Sequence, residues 1–236
     1  MIIFLLSTTL LGFLASLFYT GRIWFNMPSR NEYPVRGIDI SHHQGKIDWT
    51  LLNDEGYDFI FMKATEGKDF VDHMFKANWD RAKQEGYSVG AYHFYRSCTD
   101  WKEQLSNIVK IVPKQKDTLP IVLDLEFTGN CATPKSVENI RKDILNLIVA
   151  VQKHYEKKPI LYVTDEFYEK YLIGYVDDYA LWYRSIVTKP YIKGDHNWLF
   201  WQYSNRGRIK GIEGYVDQNV FHGDVERFKE FVSEEK

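Results

Sequence analysis

Leu119-Pro120-Ile121-Val122-Leu123-Asp124-Leu125-Glu126-Phe127 is the most apolar strand-like stretch of the chain, and two acids stand near its end. A short run of Ile, Val and Leu suits a parallel strand covered on both faces. Side chains alternate along a strand, so Asp124 and Glu126 share one face, about 7 Å apart, while Leu123, Leu125 and Phe127 take the other. The apolar face belongs against helices. The acidic face belongs at an opening, where charge is less costly and has a use.

Upstream, RGIDIS (36–41), FIFMKAT (59–65) and SVGAYHFY (88–95) read as three further strands. Between them lie DWTLLNDEG, stopped at Gly56, and HMFKANWDRAKQEG, stopped at Gly86, a residue suited to the left-handed C′ position. Asp100 and Glu103 form a capping box for a third helix, with Trp101, Leu105, Ile108, Val109 and Val112 on one stripe and Pro113 as its stop. Downstream, Thr133-Pro134 is expected to open the longest helix, which buries Ile140, Ile144, Leu147, Ile148, Val151 and Tyr155. PILYV (159–163) is the fifth strand, followed by a short helix at 165–171. ALWYR (180–184), WLFWQYS (198–204) and GYVDQNVF (214–221) are three strands joined by loops, before a closing helix, DVERFKEFV.

Five βα units followed by three strands make eight strands, the number that closes a TIM-like α/β barrel with a filled interior. A doubly wound open sheet is the alternative, but it needs a helix after nearly every strand, and the last third does not supply them. In a barrel the chemistry sits at the C-terminal rim of the strands. Asp39 in the first strand and Asp217 in the last repeat the pattern of Asp124 and Glu126, and closure makes those two strands neighbours. The bland reading of D-L-E is a strand end with two solvated acids. Four acids on one rim point instead to glycoside hydrolysis, in which one carboxyl protonates the leaving oxygen and another supports positive charge on the sugar. Mutual repulsion and apolar surroundings would raise the pKa values and help keep Glu126 protonated.

The chain has 236 residues with Lys+Arg 30 against Asp+Glu 32, a near balance that leaves no basic footprint for nucleic acid. Aromatic residues make up 16%; some can stack on sugar faces, although most must fill the core. Met1 to Gly21 carry no charged side chain, and as a helix they would extend about 30 Å, the thickness of a bilayer core. Tyr19, Trp24 and Phe25 follow where an interfacial aromatic belt would lie. The reading is a signal peptide or signal anchor, and the absence of a clean cleavage site favours an anchor over residues 1–26. Residues 27–34 (MPSRNEYP) read as a linker, and 35–236 as the catalytic barrel. Arg22, Arg30 and Arg36 follow the span, which by the positive-inside rule alone would hold the barrel in the cytoplasm.

The ordered set G-I-D-I-S-H-H-Q-G-x-I-D-W, G-A-Y-H-F-Y, L-D-L-E, L-W, W-Q-Y-S and V-D-x-N-V-F resembles glycoside hydrolase family 25 over about residues 35 to 232. The resemblance implies a muramidase, or lysozyme, of modified barrel fold that cuts the β-1,4 bond between N-acetylmuramic acid and N-acetylglucosamine without a cofactor. It places the proton donor on Glu126 and the supporting carboxylates on Asp124, Asp39 and Asp217. It also implies peptidoglycan as partner and a barrel outside the cytoplasm, periplasmic or at the cell surface, or secreted if the anchor is cleaved. A monomer is expected. Either the substrate's acetamido group attacks the anomeric carbon while Asp124 orients it, or a carboxylate activates water directly.

His93 and Tyr95 alternate to one face and are expected to contact substrate, as are members of the set Tyr162, Trp182, Trp201 and Gln202 on the later strands. His42 and His43 look like a metal pair, but adjacent residues face opposite ways, so no metal site is expected; local support of Asp39 is their expected role, or plain surface for one of them. Cys98 and Cys131 follow the third and fourth strands, whose loops neighbour each other. A disulfide there would suit export and, closing a loop of 33 residues, would add roughly 3–4 kcal/mol; free buried thiols are the alternative. Two rival functions remain. A membrane-tethered sugar-binding module would not need four acids, and a metal-dependent amidase or deacetylase would need ligand spacing that His42, His43 and His93 lack.

Overall fold

Each of the eight expected strands forms, and the first closes the circle by pairing on both sides. The structure is a computed structural model describing residues 2–132, 135–194 and 196–233, with side chains from Leu10 onward. The barrel strands are β1 (Arg36–Ile40), β2 (Phe59–Glu66), β4 (Ser88–Phe94), β5 (Val122–Leu125), β6 (Ile160–Val163), β7 (Leu181–Arg184), β8 (Trp198–Gly207) and β9 (Val216–Phe221). They follow one another in that order, and β1 pairs with both β2 and β9. All neighbours from β1 to β8 are parallel; β9 runs antiparallel to both β8 and β1. The antiparallel return from β8 to β9 needs no crossover helix, whereas the parallel step from β7 to β8 is made by residues 185–197 with no helix among the described ones. An additional strand, β3 (Phe70–Val71), pairs antiparallel with the end of β2; two residues are too few for periodicity to reveal.

The helices are α1 (Ile2–Tyr19), ahead of the barrel, then α2 (Trp49–Asn53), α3 (Phe75–Gln84), α4 (Trp101–Ile111), α5 (Val137–Tyr155), α6 (Asp165–Tyr171) and α7 (Val225–Ser233). The longest of them, α5, starts later than the sequence suggests. Ser136 caps it by accepting from the Asn139 N–H, and Thr133-Pro134 lie outside the described residues. At α4 the Asp100 carboxylate accepts from the Lys102 N–H, which is the Asp100 half of the expected capping box. Among the residues whose side chains are described (in α1 only Leu10 to Tyr19) no helix is long and apolar enough to cross a membrane.

Alternation along the strands divides the core in two. Leu123, Leu125, Leu161, Val163 and Tyr183 face outward against α4, α5 and α6. Phe59, Phe61, Val122, Ile160, Trp182, Phe200 and Phe221 fill the barrel. Phe61 stacks on Trp182 with ring centroids 4.4 Å apart, and Phe200 meets both Phe59 and Phe61 edge-on at 5.3 Å. Large rings inside a barrel need small residues opposite. A Cβ at Gly90 would lie 2.5 Å from Phe61 Cδ1. Gly90→Ala is therefore expected to destabilise the fold by about 1–3 kcal/mol through overpacking. Urea unfolding would show it as a lower midpoint at unchanged slope, and a midpoint equal to that of the parent would refute this account of the interior.

The stretch read as a linker is laid against the barrel and is not a free tether. Tyr33 is buried between Trp198 and Trp201, with centroids at 5.8 and 6.0 Å. Arg30 donates to the carbonyls of Glu55 and Gly56. Arg36, itself buried, donates to the Pro28 carbonyl and to the Tyr203 hydroxyl. Polar, proline-punctuated segments read as linkers from composition, yet here the backbone carbonyls and one tyrosine find partners on the barrel.

Candidate active site

The four acids converge on the C-terminal mouth of the barrel. Asp39 and Asp217 are direct register partners across β1 and β9. Asp124 is the third residue of β5, and Glu126 stands one residue beyond its end. Together with Tyr92, Tyr162, Trp182 and Gln202 they line a cavity of about 90 Å³. Leu123 and Leu125 face the helices, as alternation requires when Asp124 and Glu126 face in.

A chain of hydrogen bonds holds Asp39. The amides of Gln202 and Asn219 both donate to its Oδ2, at 3.0 and 2.8 Å. The Tyr162 hydroxyl donates to Gln202 Oε1 at 3.0 Å, and the Trp182 indole donates to Asn219 Oδ1 at 2.8 Å. The aromatic floor of the barrel thus orients two amides, and the amides orient one carboxylate. Asp124 differs: it is buried, and its Oδ1 has no hydrogen-bond partner within the protein among the described residues.

Removal from water raises the proton affinity of every member. Asp124 is pushed well above the usual carboxyl range by burial, then by the charge of Glu126. Asp217 is pushed well above it by burial, then by Asp39 beside it. Asp39 is raised by burial, with the Asn219 and Gln202 amides holding it back. Glu126 is raised by burial, with Arg184 opposing. Each carboxyl of the cluster therefore holds its proton more tightly than it would in water, and the four titrate as a coupled set.

Of the six residues expected to contact sugar, three line the cavity and three lie elsewhere. Tyr162, Trp182 and Gln202 line the cavity. His93, Tyr95 and Trp201 are corrections to the sequence reading. The His93 ring lies buried between Thr65 Oγ1 (2.8 Å) and Gln104 Oε1 (3.1 Å), on the helix side of β4. Burial pushes its pKa down to about 4, so it stays neutral. Tyr95 belongs to the outer core, and Trp201 packs there on Tyr33 and Trp198 while donating to the Ser185 carbonyl. Alternation correctly put His93 and Tyr95 on one face, but the opposite parity faces in: Tyr92 lines the site. His42 does not support Asp39 through a hydrogen bond; its backbone N–H and its Nδ1 both engage Asp72 Oδ2 at 2.8 Å. Among the described residues no three His, Cys, Asp or Glu side chains are grouped so as to hold a metal ion.

Sequence reasoning missed Asn219, Tyr92, Lys63, Arg184 and Asn130. Lys63 stands on β2 in the inward parity of Phe59 and Phe61, a signal that was available. Its ammonium pairs with Glu66 at 2.7 Å, lies over Phe94 and Phe70 at 5.1 and 5.3 Å, and lowers the proton affinity of Asp124 and Glu126. Lys63→Met removes that positive charge. The pH–rate profile should move toward alkaline pH, with kcat/KM at its acid edge falling about three- to ten-fold. An unmoved profile from a folded variant would show that Lys63 does not tune the cluster.

Cys98 and Cys131 form the expected disulfide, with Cα atoms 6.0 Å apart. Between them Asn130 knits the two loops: its side chain accepts from the Ser97 and Cys131 N–H groups and donates to the carbonyls of Tyr95 and Glu126. The backbone beneath Glu126 is thereby held by one amide and one covalent bond.

Comparison with known proteins agrees with this fold. Residues 38–212 match the family model of glycosyl hydrolases family 25. The structure of a family 25 glycosyl hydrolase from Bacillus anthracis superposes with a TM-score of 0.83 at 38% identity, covering 89% of this chain and 97% of that one. The Escherichia coli protein YegX is 36% identical over 205 residues, 85% of this chain and 74% of its own length. Lysozyme M1 of Streptomyces globisporus is 32% identical over 207 residues, 82% of this chain and 69% of its own. With the barrel fold and the matched residues in agreement, the chain belongs to glycosyl hydrolase family 25 and is a glycoside hydrolase.

Proposed function

We propose that the chain is a peptidoglycan muramidase, hydrolysing the β-1,4 bond between N-acetylmuramic acid and N-acetylglucosamine. The observation that carries this is the convergence of Asp39, Asp124, Glu126 and Asp217 on one small cavity at the barrel mouth. Glu126 is the general acid. It is less buried than Asp124 and stands at the strand end, where a glycosidic oxygen can reach it. Asp39 and Asp217 share the field on the other side of the cavity, and Tyr162, Trp182 and Gln202 supply its polar and aromatic lining.

For Asp124 the unpartnered Oδ1 supports the acetamido route. A buried acceptor lacking a donor is one that a substrate N–H can satisfy. Accepting that N–H lowers the proton affinity of Asp124 and leaves the shared proton on Glu126. Glu126 then protonates the leaving oxygen as the C1–O bond breaks, and the acetamido oxygen bonds to C1, giving a cyclic oxazolinium balanced by the Asp124 carboxylate. Water opens that ring at C1 and returns a proton to Glu126. No cofactor enters these steps.

The enzyme is proposed to act as a monomer held outside the cytoplasm by residues 1–26. The uncharged run Met1–Gly21 and the exposed Leu10, Leu11 and Phe13 of α1 support this placement. Arg30 and Arg36, which by count alone oppose it, have structural roles on the barrel.

The test is digestion of purified peptidoglycan by the full chain in non-ionic detergent, with the sugar at each new reducing end identified by mass. Muramic acid ends are expected. Glucosamine ends, or no cleavage by folded protein, would end the muramidase reading. The first-formed anomer addresses the route alone: retention is expected, and inversion would eliminate the acetamido step.

A further inference from the structure

The chain leaves α1 through a clamp built on the catalytic rim. The Tyr19 carbonyl accepts from Arg206 Nη1 and from the Tyr215 hydroxyl, each at 2.8 Å, and the Thr20 carbonyl accepts from Arg208 Nε at 2.6 Å. These carbonyls close the C-terminal end of the helix, where unpaired oxygens and the helix dipole favour cations. The two guanidiniums also lie over tyrosine rings: Arg206 over Tyr19 and Tyr215 at 5.3 and 5.2 Å, Arg208 over Tyr215 at 4.7 Å. Gly21 follows with φ +67°, and a Cβ there would strike the Arg206 carbonyl oxygen, so the close approach requires glycine. Five residues on, the buried Asn26 amide faces three carbonyls, those of Ser185, Thr188 and Tyr203, at 3.0, 3.4 and 3.5 Å.

All these partners lie at the end of the barrel that carries the acids. Arg206 is four residues beyond Gln202 on β8, Tyr215 two before Asp217 at β9, and Ser185 directly after β7. At the rise of a strand, the exit of α1 is fixed about 7 to 13 Å along the chain from residues lining the cavity. Phe25 and Met27, which follow the clamp in the chain, are exposed, and so is Val187, next to the Thr188 whose carbonyl faces Asn26. With Arg22 and Lys189 nearby in sequence, this mix suits a water–lipid boundary.

We propose that the clamp holds the catalytic cleft beside the bilayer, so that the substrate of this enzyme is glycan lying against the membrane surface. The inference rests on the muramidase and anchor readings above. A free linker would let the barrel sample the wall at a distance. A docked exit instead confines the mouth to a short layer above the lipid headgroups, where newly made, uncross-linked strands emerge.

The experiment reconstitutes the full chain in vesicles of phosphatidylethanolamine and phosphatidylglycerol. It compares cleavage of uncross-linked glycan strands carried by lipid in the same vesicles with cleavage of the same strands free in solution. Arg206→Ala/Arg208→Ala opens the clamp. A second variant, with about 20 Gly/Ser residues inserted after Gly21, adds roughly 25 Å of reach without touching the barrel. Both variants should retain the parent rate on free strands and lose about five- to ten-fold on vesicle-borne strands. If both cleave vesicle-borne strands as fast as the parent, the clamp has no positional role and the inference falls, with the anchor intact. A parent chain that does not float with the vesicles defeats the anchor, and the inference with it. A folded parent that floats but cleaves neither substrate defeats the muramidase reading.

Discussion

Glu126→Gln is expected to lower kcat on peptidoglycan by about 10²–10⁴-fold, the contribution of a positioned general acid, while KM stays within a few-fold. Glutamine preserves the shape of the side chain and can still hydrogen-bond a glycosidic oxygen, but it has no proton to give as the C1–O bond breaks. Substrate binding depends on the cavity lining and on the other three acids, all of which remain. The parent's pH profile should also show an alkaline limb above the usual carboxyl range, because burial raises the Glu126 carboxyl and its coupled neighbours. Initial rates of reducing-end release by parent and variant, across pH, test both statements. A variant within ten-fold of the parent would remove Glu126 from the role of acid.

Asp124→Asn is expected to abolish most activity and to make the protein more stable. The native carboxyl binds its proton more tightly than the unfolded chain does, since burial raises it well above its ordinary value of 3.8. Between that value and the folded pKa the native state holds more protons than the unfolded state. Stability therefore falls as pH rises through this window, and at neutral pH the site is under electrostatic load. Asparagine removes the titrating group. A gain of about 1–2 kcal/mol, typical of relieving a functional site, would raise the melting temperature by roughly 2–8 °C in a chain of this size. The gain should vanish below about pH 4, where Asp124 is protonated in both states. A variant less stable than the parent at pH 7 would show that the Asp124 charge is better compensated than its unpartnered Oδ1 indicates.

These two expectations rest on parts of the molecule that differ in how far they can be read from the chain. The placement of Asp124 and Glu126 on one face needs only the two-residue period of a strand and the apolar Leu123 and Leu125 between and beside them. Their company needs closure. Asp39 and Asp217 are 178 residues apart in the chain and become register partners only because β9 returns antiparallel beside β1. The count of eight strands anticipated the closure, though not the antiparallel direction of β9, so a grouping of the four acids at one rim was legible.

What parity could not supply was its sign. His93 and Tyr95 lie on one face of β4, as expected, but a strand clothed in aromatic residues on both faces, Tyr92 and Phe94 against His93 and Tyr95, does not say which pair looks inward. The neighbours decide: Thr65 and Gln104 offer His93 two polar partners on the helix side. Trp201 and Trp182 pose the same problem, and a buried carbonyl at Ser185 draws one indole outward while Asn219 draws the other in. Lys63 could have been found by extending the inward parity of Phe59 and Phe61, although a lysine in that row reads at first as an exception to the core.

The sequence by itself determined the eight barrel strands, their order and the candidate acids, but not β3 or the start of α5, because apolar periodicity and the placement of helices between strands are local properties. It also determined which cysteines could meet, since consecutive strand–helix loops lie side by side at the same rim. Only the tertiary structure decided which aromatic face fills the barrel, which amides hold Asp39, and that residues 26–34 pack on the barrel. Those outcomes depend on side-chain partners distant in the chain, and on backbone carbonyls whose availability no pattern of residue types records.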